Sequence, residues 1–210
     1  MTKAAVIVAH PDDETLWAGG TILRSPSWNW FVAALCRSSD EDRAPRFRKA
    51  IKLLAAEGAM GGLDDGPDQA PLDENEVRKM ILSLIPCREF DLVITHNPRK
   101  GEYTRHRRHE ETGKAVIELW KAGEIKTRHL WTFAYTDEGK RKCPKPEKAS
   151  DYSIKLTQPI WARKYQIITG TYGFGKKSFE ARTAPRREAF RCFKTSEDAD
   201  YYLQKGRHKP

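Results

Sequence analysis

The run Ala4-Ala5-Val6-Ile7-Val8-Ala9 is apolar at every position and breaks off abruptly into His10-Pro11-Asp12-Asp13-Glu14. A strand that is apolar at each residue, not at alternate ones, needs cover on both faces, as a parallel strand between two helical layers has. Phe31-Val32-Ala33-Ala34-Leu35-Cys36 repeats the pattern, and Asp91-Leu92-Val93-Ile94-Thr95 carries it a third time. Helical spacing lies between these runs. Phe47, Ala50, Ile51, Leu54 and Ala55 share one helix face, with Gly58 as a stop; Val77, Met80, Ile81, Leu84 and Ile85 share another, with Asp73 as N-cap and Pro86 just beyond. The order read this way is β–α–β–α–α–β–α. It predicts an α/β, Rossmann-like three-layer fold around a mostly parallel sheet. Arg128 to Tyr135 reads as a further strand, Leu63 to Gln69 and Thr136 to Ala149 as loops, 160–169 and 178–193 as helical, and the polar end from Gln204 as frayed.

The 210 residues suit one domain, with its core at about 1–135 and a basic C-terminal part at 138–210. That part holds 18 Lys and Arg against 8 Asp and Glu, a net of +10, while residues 1–137 carry −1, which together give the +9 of the chain. Such a region suits an anionic partner, so a nucleic-acid or anionic-surface binding module is the second functional reading. No nucleic-acid motif accompanies the charge, so a solvated basic surface is the preferred account of it. No apolar run approaches the roughly 20 residues of a membrane helix. Nothing reads as a signal peptide, and Cys36, Cys87, Cys143 and Cys192 are too far apart for a CxxC motif. Free thiols in a reducing cytoplasm are the expectation.

Open α/β sheets bind ligands at the carboxyl ends of their strands. The first strand ends there in an imidazole and three carboxylates. A dinucleotide turn would be glycine-rich, and carboxylates would repel a pyrophosphate, so no nucleotide cofactor is expected. Carboxylate with histidine suits a metal ion instead. The third strand ends in Thr95-His96-Asn97, and His106 and His109 follow at a spacing that puts both on one helix face with Gly113 and Val116, leaving Arg107 and Arg108 to point away. Asp12 or Asp13 could equally cap a helix. Together, however, these residues fit metal-assisted amide hydrolysis. Three ligands leave a position open, a free carboxylate takes a proton from water, and an imidazolium stabilises the oxyanion or protonates the leaving amine.

Ala-His-Pro-Asp-Asp-Glu after an N-terminal strand, with a later His-x-x-His, resembles the LmbE-like / PIG-L family of zinc-dependent de-N-acetylases. The resemblance is clear over about 4–135. It implies zinc, or another first-row ion, on His10, Asp13 and His109, with Asp12 as general base and His106 as acid or oxyanion support. It implies a small N-acetylated substrate, an amino sugar or similar conjugate, contacted by Arg46 (with Arg43 as its rival) and by Tyr103. Many relatives have His-Pro-Asp-His where this chain has His106-Arg107-Arg108-His109. Gly170 to Lys177 nearly spells a phosphate-binding loop but has Lys177 where a hydroxyl must hold magnesium. A glycine-rich turn beside the pocket, with Tyr172 and Lys164 near substrate, is the preferred reading of that stretch.

Overall fold

The computed structural model describes residues 1–103, 106–139 and 142–205. Five strands, β1 (Lys3–Val8), β2 (Asn29–Cys36), β3 (Glu57–Leu63), β4 (Glu89–Thr95) and β5 (Lys126–Phe133), run parallel. Between them lie α1 (Asp13–Arg24), α2 (Arg43–Leu53), α3 (Glu74–Leu84) and α4 (Arg107–Lys121). Beyond β5 come a two-stranded ribbon of β6 (Tyr135–Thr136) and β7 (Lys145–Pro146), then β8 (Tyr152–Lys155) and α5 (Gln158–Gln166). A π-helical turn (Ile167–Thr171), α6 (Phe179–Thr183), β9 (Arg187–Phe193) and α7 (Ser196–Lys205) follow. The main sheet has the order β3-β2-β1-β4-β5-β9-β8, with β9 antiparallel to β5 and β8 antiparallel to β9.

Alternate residues of β1 feed two cores, which is why its apolar run is continuous. Ala4, Val6 and Val8 pack with Trp17 and Ile22 of α1 and Phe47 and Ile51 of α2. Ala5 and Ile7 pack with Val77 and Ile81 of α3, Val116 and Leu119 of α4, and Leu203 of α7. The fold class is therefore as the sequence predicts. Asp73 caps α3 as expected, accepting from the amides of Asn75 and Glu76.

Three local expectations fail. Glu57–Leu63 is a strand, and Gly58 lies inside it instead of stopping a helix. This stretch carries three glycines and buries few residues, so it shows neither strand periodicity nor strand composition. The glycines are there for close approach: a Cβ on Gly61 would stand 2.5 Å from Met80 Sδ and 2.7 Å from the Leu35 carbonyl. Residues 178–193 are a five-residue helix and then β9, not one helix. Residues 160–169 are helical as expected, and the glycine-rich run begins inside the π-helical turn that follows α5, not after the strand a phosphate-binding loop needs. Gln204 and Lys205 belong to α7, while the rest of the end lies outside the described residues. Among the described residues no helix is long and apolar enough to cross a membrane.

β2 lies on one side of β1 and β4 on the other, so the strand order reverses between β1 and β4. That reversal opens a crevice at the carboxyl edge. Ile7 pairs with Thr95, whose hydroxyl donates to the Ile7 carbonyl at 2.8 Å, so the segments after the two strands emerge side by side.

Candidate metal and active site

Pro11 turns the chain from β1 into α1, and Asp12 takes φ 118°, ψ −28° at the junction. A non-glycine residue there carries backbone strain of order 1–3 kcal/mol, of the kind that persists at working sites. Its side chain makes no capping bond, so the reading of Asp12 as a helix cap fails. Asp13 opens the helix. Its Oδ1 accepts from Trp17 Nε1 at 3.1 Å, and its Oδ2 accepts from the His10 amide at 2.9 Å.

Across the crevice α4 lies close against the end of β4. Gly113 permits this, since a Cβ on it would stand 2.3 Å from the His96 carbonyl oxygen. His109, one turn before Gly113, is thereby buried beside Asp13. Three atoms converge: His10 Nδ1 to Asp13 Oδ2 is 3.0 Å, His10 Nδ1 to His109 Nε2 is 3.2 Å, and His109 Nε2 to Asp13 Oδ2 is 3.3 Å. The far nitrogen of each ring meets its own carboxylate. His109 Nδ1 is 2.5 Å from Glu102 Oε2, and His10 Nε2 is 3.1 Å from Asp65 Oδ1. With those nitrogens donating outward, two lone pairs and a carboxylate oxygen face one another. Donors about 2.0–2.2 Å from a shared tetrahedral ion stand about 3.3 Å apart, so this donor set fits a divalent cation.

Two groupings of histidine and acid could hold an ion, His10 with His106 and His109, or Asp13 with His96 and His109. His96 Nε2 is already engaged by the Ala9 amide at 3.0 Å, and its Nδ1 lies 2.9 Å from Glu102. His106 precedes α4 in extended conformation (φ −93°, ψ 104°) and does not share its helical face, yet its ring stacks on His109 with centroids 4.1 Å apart. Its Nδ1 is buried with no partner. Arg107 is exposed as expected, but Arg108 is buried, contrary to the sequence reading. The segment after β3 folds over α4, and Arg108 donates to the Asp64 carbonyl at 2.6 Å, the Ala70 carbonyl at 2.9 Å and Glu111 at 2.6 Å.

The electrostatics divide the groups. Burial, with Asp13 and Glu14 alongside, pushes Asp12 well above the usual carboxylate range. Burial works on Asp13 in the same sense, but His109 and His96 reverse it and hold this carboxyl well below that range. Burial and the neighbouring His109 and His10 push His106 down to about 3, so its ring is neutral near pH 7 and not the imidazolium the sequence suggested. Glu102 is held ionised, near 2, because His96 and His109 overcome its burial.

A cleft of about 390 Å³ opens beside these groups. His10, Asp12, Asp13, His106 and Tyr103 face it; His109 lies behind them. Tyr103 stands edge-on to His106 and His109 at 5.7 Å. Arg46 does not reach the cleft. It is turned aside by Asp42 at 2.6 Å and by the Tyr172 carbonyl. Arg43 lines the cleft instead, its guanidinium over the Phe174 ring at 4.6 Å and its Nη1 buried without a partner. Tyr172 and Lys164 point away from it, Tyr172 bonded to Glu14 at 2.7 Å and Lys164 to Glu188 at 2.6 Å. Phe174, Phe179 and Glu180 form a wall that sequence reading missed, and Arg37 and Asp65 were missed opposite them. Nothing in their spacing marks these residues. Glu102, behind His96 and His109, was missed as well.

A Rossmann-like α/β protein with a His–Asp donor set at its topological switch point, and no glycine-rich turn there, is the class that fold and site define. The sequence profile of the PIG-L family, described as GlcNAc-PI de-N-acetylase, matches residues 5–120, more than half of the chain, and the chain belongs to that family. It is 22% identical over 146 residues to the uncharacterized protein L374 of Acanthamoeba polyphaga mimivirus, 62% of this chain and 60% of that one. The chain thus spans about 60% of the length of this curated relative. Among solved structures it is similar to the N,N'-diacetylchitobiose deacetylase of Pyrococcus horikoshii, with TM-score 0.68 and 16% identity over 96% of this chain and 85% of that one. The 4-carboxy-2-hydroxymuconate hydratase GalB of Pseudomonas putida gives TM-score 0.60 and 16% identity over 91% and 96%. At these identities the likeness is one of fold, and a deacetylase and a hydratase share it, so chemistry must be argued from the site.

Proposed function

We propose that the chain is a zinc-dependent de-N-acetylase that hydrolyses the N-acetyl group of an amino sugar or a similar small conjugate. The observation that carries this reading is the convergence of His10 Nδ1, Asp13 Oδ2 and His109 Nε2 within 3.0–3.3 Å of one another, with Asp12 and His106 beside them in the same cleft. Family membership and the deacetylase neighbour agree with it. His10, Asp13 and His109 would hold the ion. When bound, a divalent ion at such a donor set polarises an amide carbonyl and acidifies water.

The chain's own residues do the rest. Asp12, outside the donor set, takes a proton from the attacking water. Its raised proton affinity suits that step, since a base works best with its pKa near the working pH. The neutral His106 ring donates an N–H to the oxygen on which charge develops. Asp12 then returns its proton to the departing nitrogen, so water adds across the C–N bond to give acetate and a free amine. The Arg43 guanidinium and Tyr103 hold the remainder of the substrate against the Phe174 and Phe179 wall. The test is acetate release by zinc-loaded protein across a panel of N-acetylated amino sugars, with Asp12→Asn as control. Turnover that vanishes in the control supports the reading. A protein that holds zinc and releases acetate from none of them contradicts it.

A further inference from the structure

His10 presents Nδ1 to the donor set only while its Nε2 carries the proton, and one residue decides that. Asp65 Oδ1 stands 3.1 Å from His10 Nε2 and also accepts from Gln69 Nε2 at 3.0 Å. Its other oxygen takes Arg37 twice, Nε at 2.8 Å and Nη2 at 2.7 Å. Arg37 reaches it from just beyond β2 with φ 67°, in the left-handed region, and Gln69 sits there too with φ 47°. A second arginine fixes the residue next door. The buried Arg108 of α4 binds the Asp64 and Ala70 carbonyls, which bracket Asp65 and Gln69 in one loop. Two arginines from opposite sides of the crevice therefore clamp a single loop, whose carboxylate addresses a ring of the site.

We propose that Asp65, clamped by Arg37 and Arg108, is a positioning residue that fixes the His10 tautomer and ring so that Nδ1 faces the metal position. The inference rests on the functional reading above only for the existence of a metal site. A carboxylate behind a ligating imidazole sets ring orientation and ligand basicity, and losing it typically costs about 10–100-fold in metal affinity. Arg37 supplies the planar two-point grip that keeps the carboxylate aimed at the ring. Arg108 matters through four acceptors, the Asp64 and Ala70 carbonyls and the Asp64 and Glu111 carboxylates, that a lysine cannot all reach.

The test is zinc affinity by competition with a chromogenic chelator, on the full chain and its Asp65→Asn, Asp64→Asn, Arg37→Met and Arg108→Lys variants, with melting of each metal-free form. Asp65→Asn is expected to lose about 10–100-fold in zinc affinity while its metal-free melting temperature stays within about 3 °C of wild type. Arg37→Met and Arg108→Lys are expected to lose less, in the same direction. Asp64→Asn removes the same charge one residue away, with its 3.3 Å ion pair to Arg108 Nη2, but keeps the bonds of Arg108 to the Asp64 and Ala70 carbonyls, and should stay within about twofold. Wild-type affinity in Asp65→Asn, or an equal loss in Asp64→Asn, overturns the proposal, the second because the effect would then be charge and not position. A wild-type chain that takes up no zinc removes the functional reading and this inference together. Uptake by wild type with no change in Asp65→Asn removes this inference alone.

Discussion

Two buried polar clusters meet the same helix, α1, and they are finished differently. At its middle, Glu188 of β9 accepts from the Gly20 amide, the Thr21 amide, the Thr21 hydroxyl and Lys164 Nζ, all at 2.6–2.7 Å, and both charged side chains are fully buried. Every lone pair there has its proton, and the cluster rivets α1 to α5 and β9. At the start of α1, Asp13 Oδ2 faces His10 Nδ1 and His109 Nε2, and the other nitrogen of each ring meets Asp65 or Glu102. The first arrangement is complete as a protein. The second is a donor set that a cation would fit, as proposed above. Burial and charge are common to both, so neither identifies a site; what sets the second apart is two imidazole nitrogens and a carboxylate oxygen within 3.0–3.3 Å of one another.

The largest effect that separates the two is catalytic. Asp12→Asn should lower turnover by about 10²–10⁴-fold without changing zinc content, measured as acetate release and metal analysis on one preparation. The matching change in the riveted cluster should be structural. Lys164→Met leaves Glu188 charged and buried, which costs about 3–5 kcal/mol, and Lys164→Met/Glu188→Gln should cost less because that charge is gone. Thermal melting checks both, and the surviving folded protein should still bind one zinc. Ligand linkage comes next. Zinc at a hundredfold excess over Kd should stabilise wild type by about 2.7 kcal/mol, a rise of roughly 5–10 °C in Tm, and should leave His109→Ala unmoved. The smallest contrast lies at the rim. Arg43→Ala should raise KM by about tenfold, as loss of a charged hydrogen bond does, while Arg46→Ala, whose bonds go to Asp42 and the Tyr172 carbonyl, should change it less than twofold.

What the sequence made legible follows from the same distinction. β1, β2 and β4 declare themselves because both faces are covered, and His10 to Glu14 stands out because charge follows directly on such a strand. β3 is hidden because its glycines are chosen for contact with Leu35 and Met80, not for strand propensity. β9 is hidden because Arg187 to Phe193 is an added antiparallel strand whose charged residues fall at 187, 188 and 191, a spacing that suits a helix better than a strand. His109 and His10 could be read from motif spacing. Asp65, Arg37 and Glu102 could not, because a loop carboxylate looks like any other until the fold closes on it. Arg108 shows the opposite error: a helical wheel sends it to solvent, whereas the segment after β3 covers that side of α4 and buries it.

On the proposed function, the cluster at the start of α1 holds one cation and the cluster at its middle holds none. The direct measurement is the number of zinc ions retained per chain after loading and dialysis, compared among wild type, His109→Ala and Lys164→Met. The account predicts one, none and one. No zinc in wild type, or undiminished zinc in His109→Ala, would contradict it.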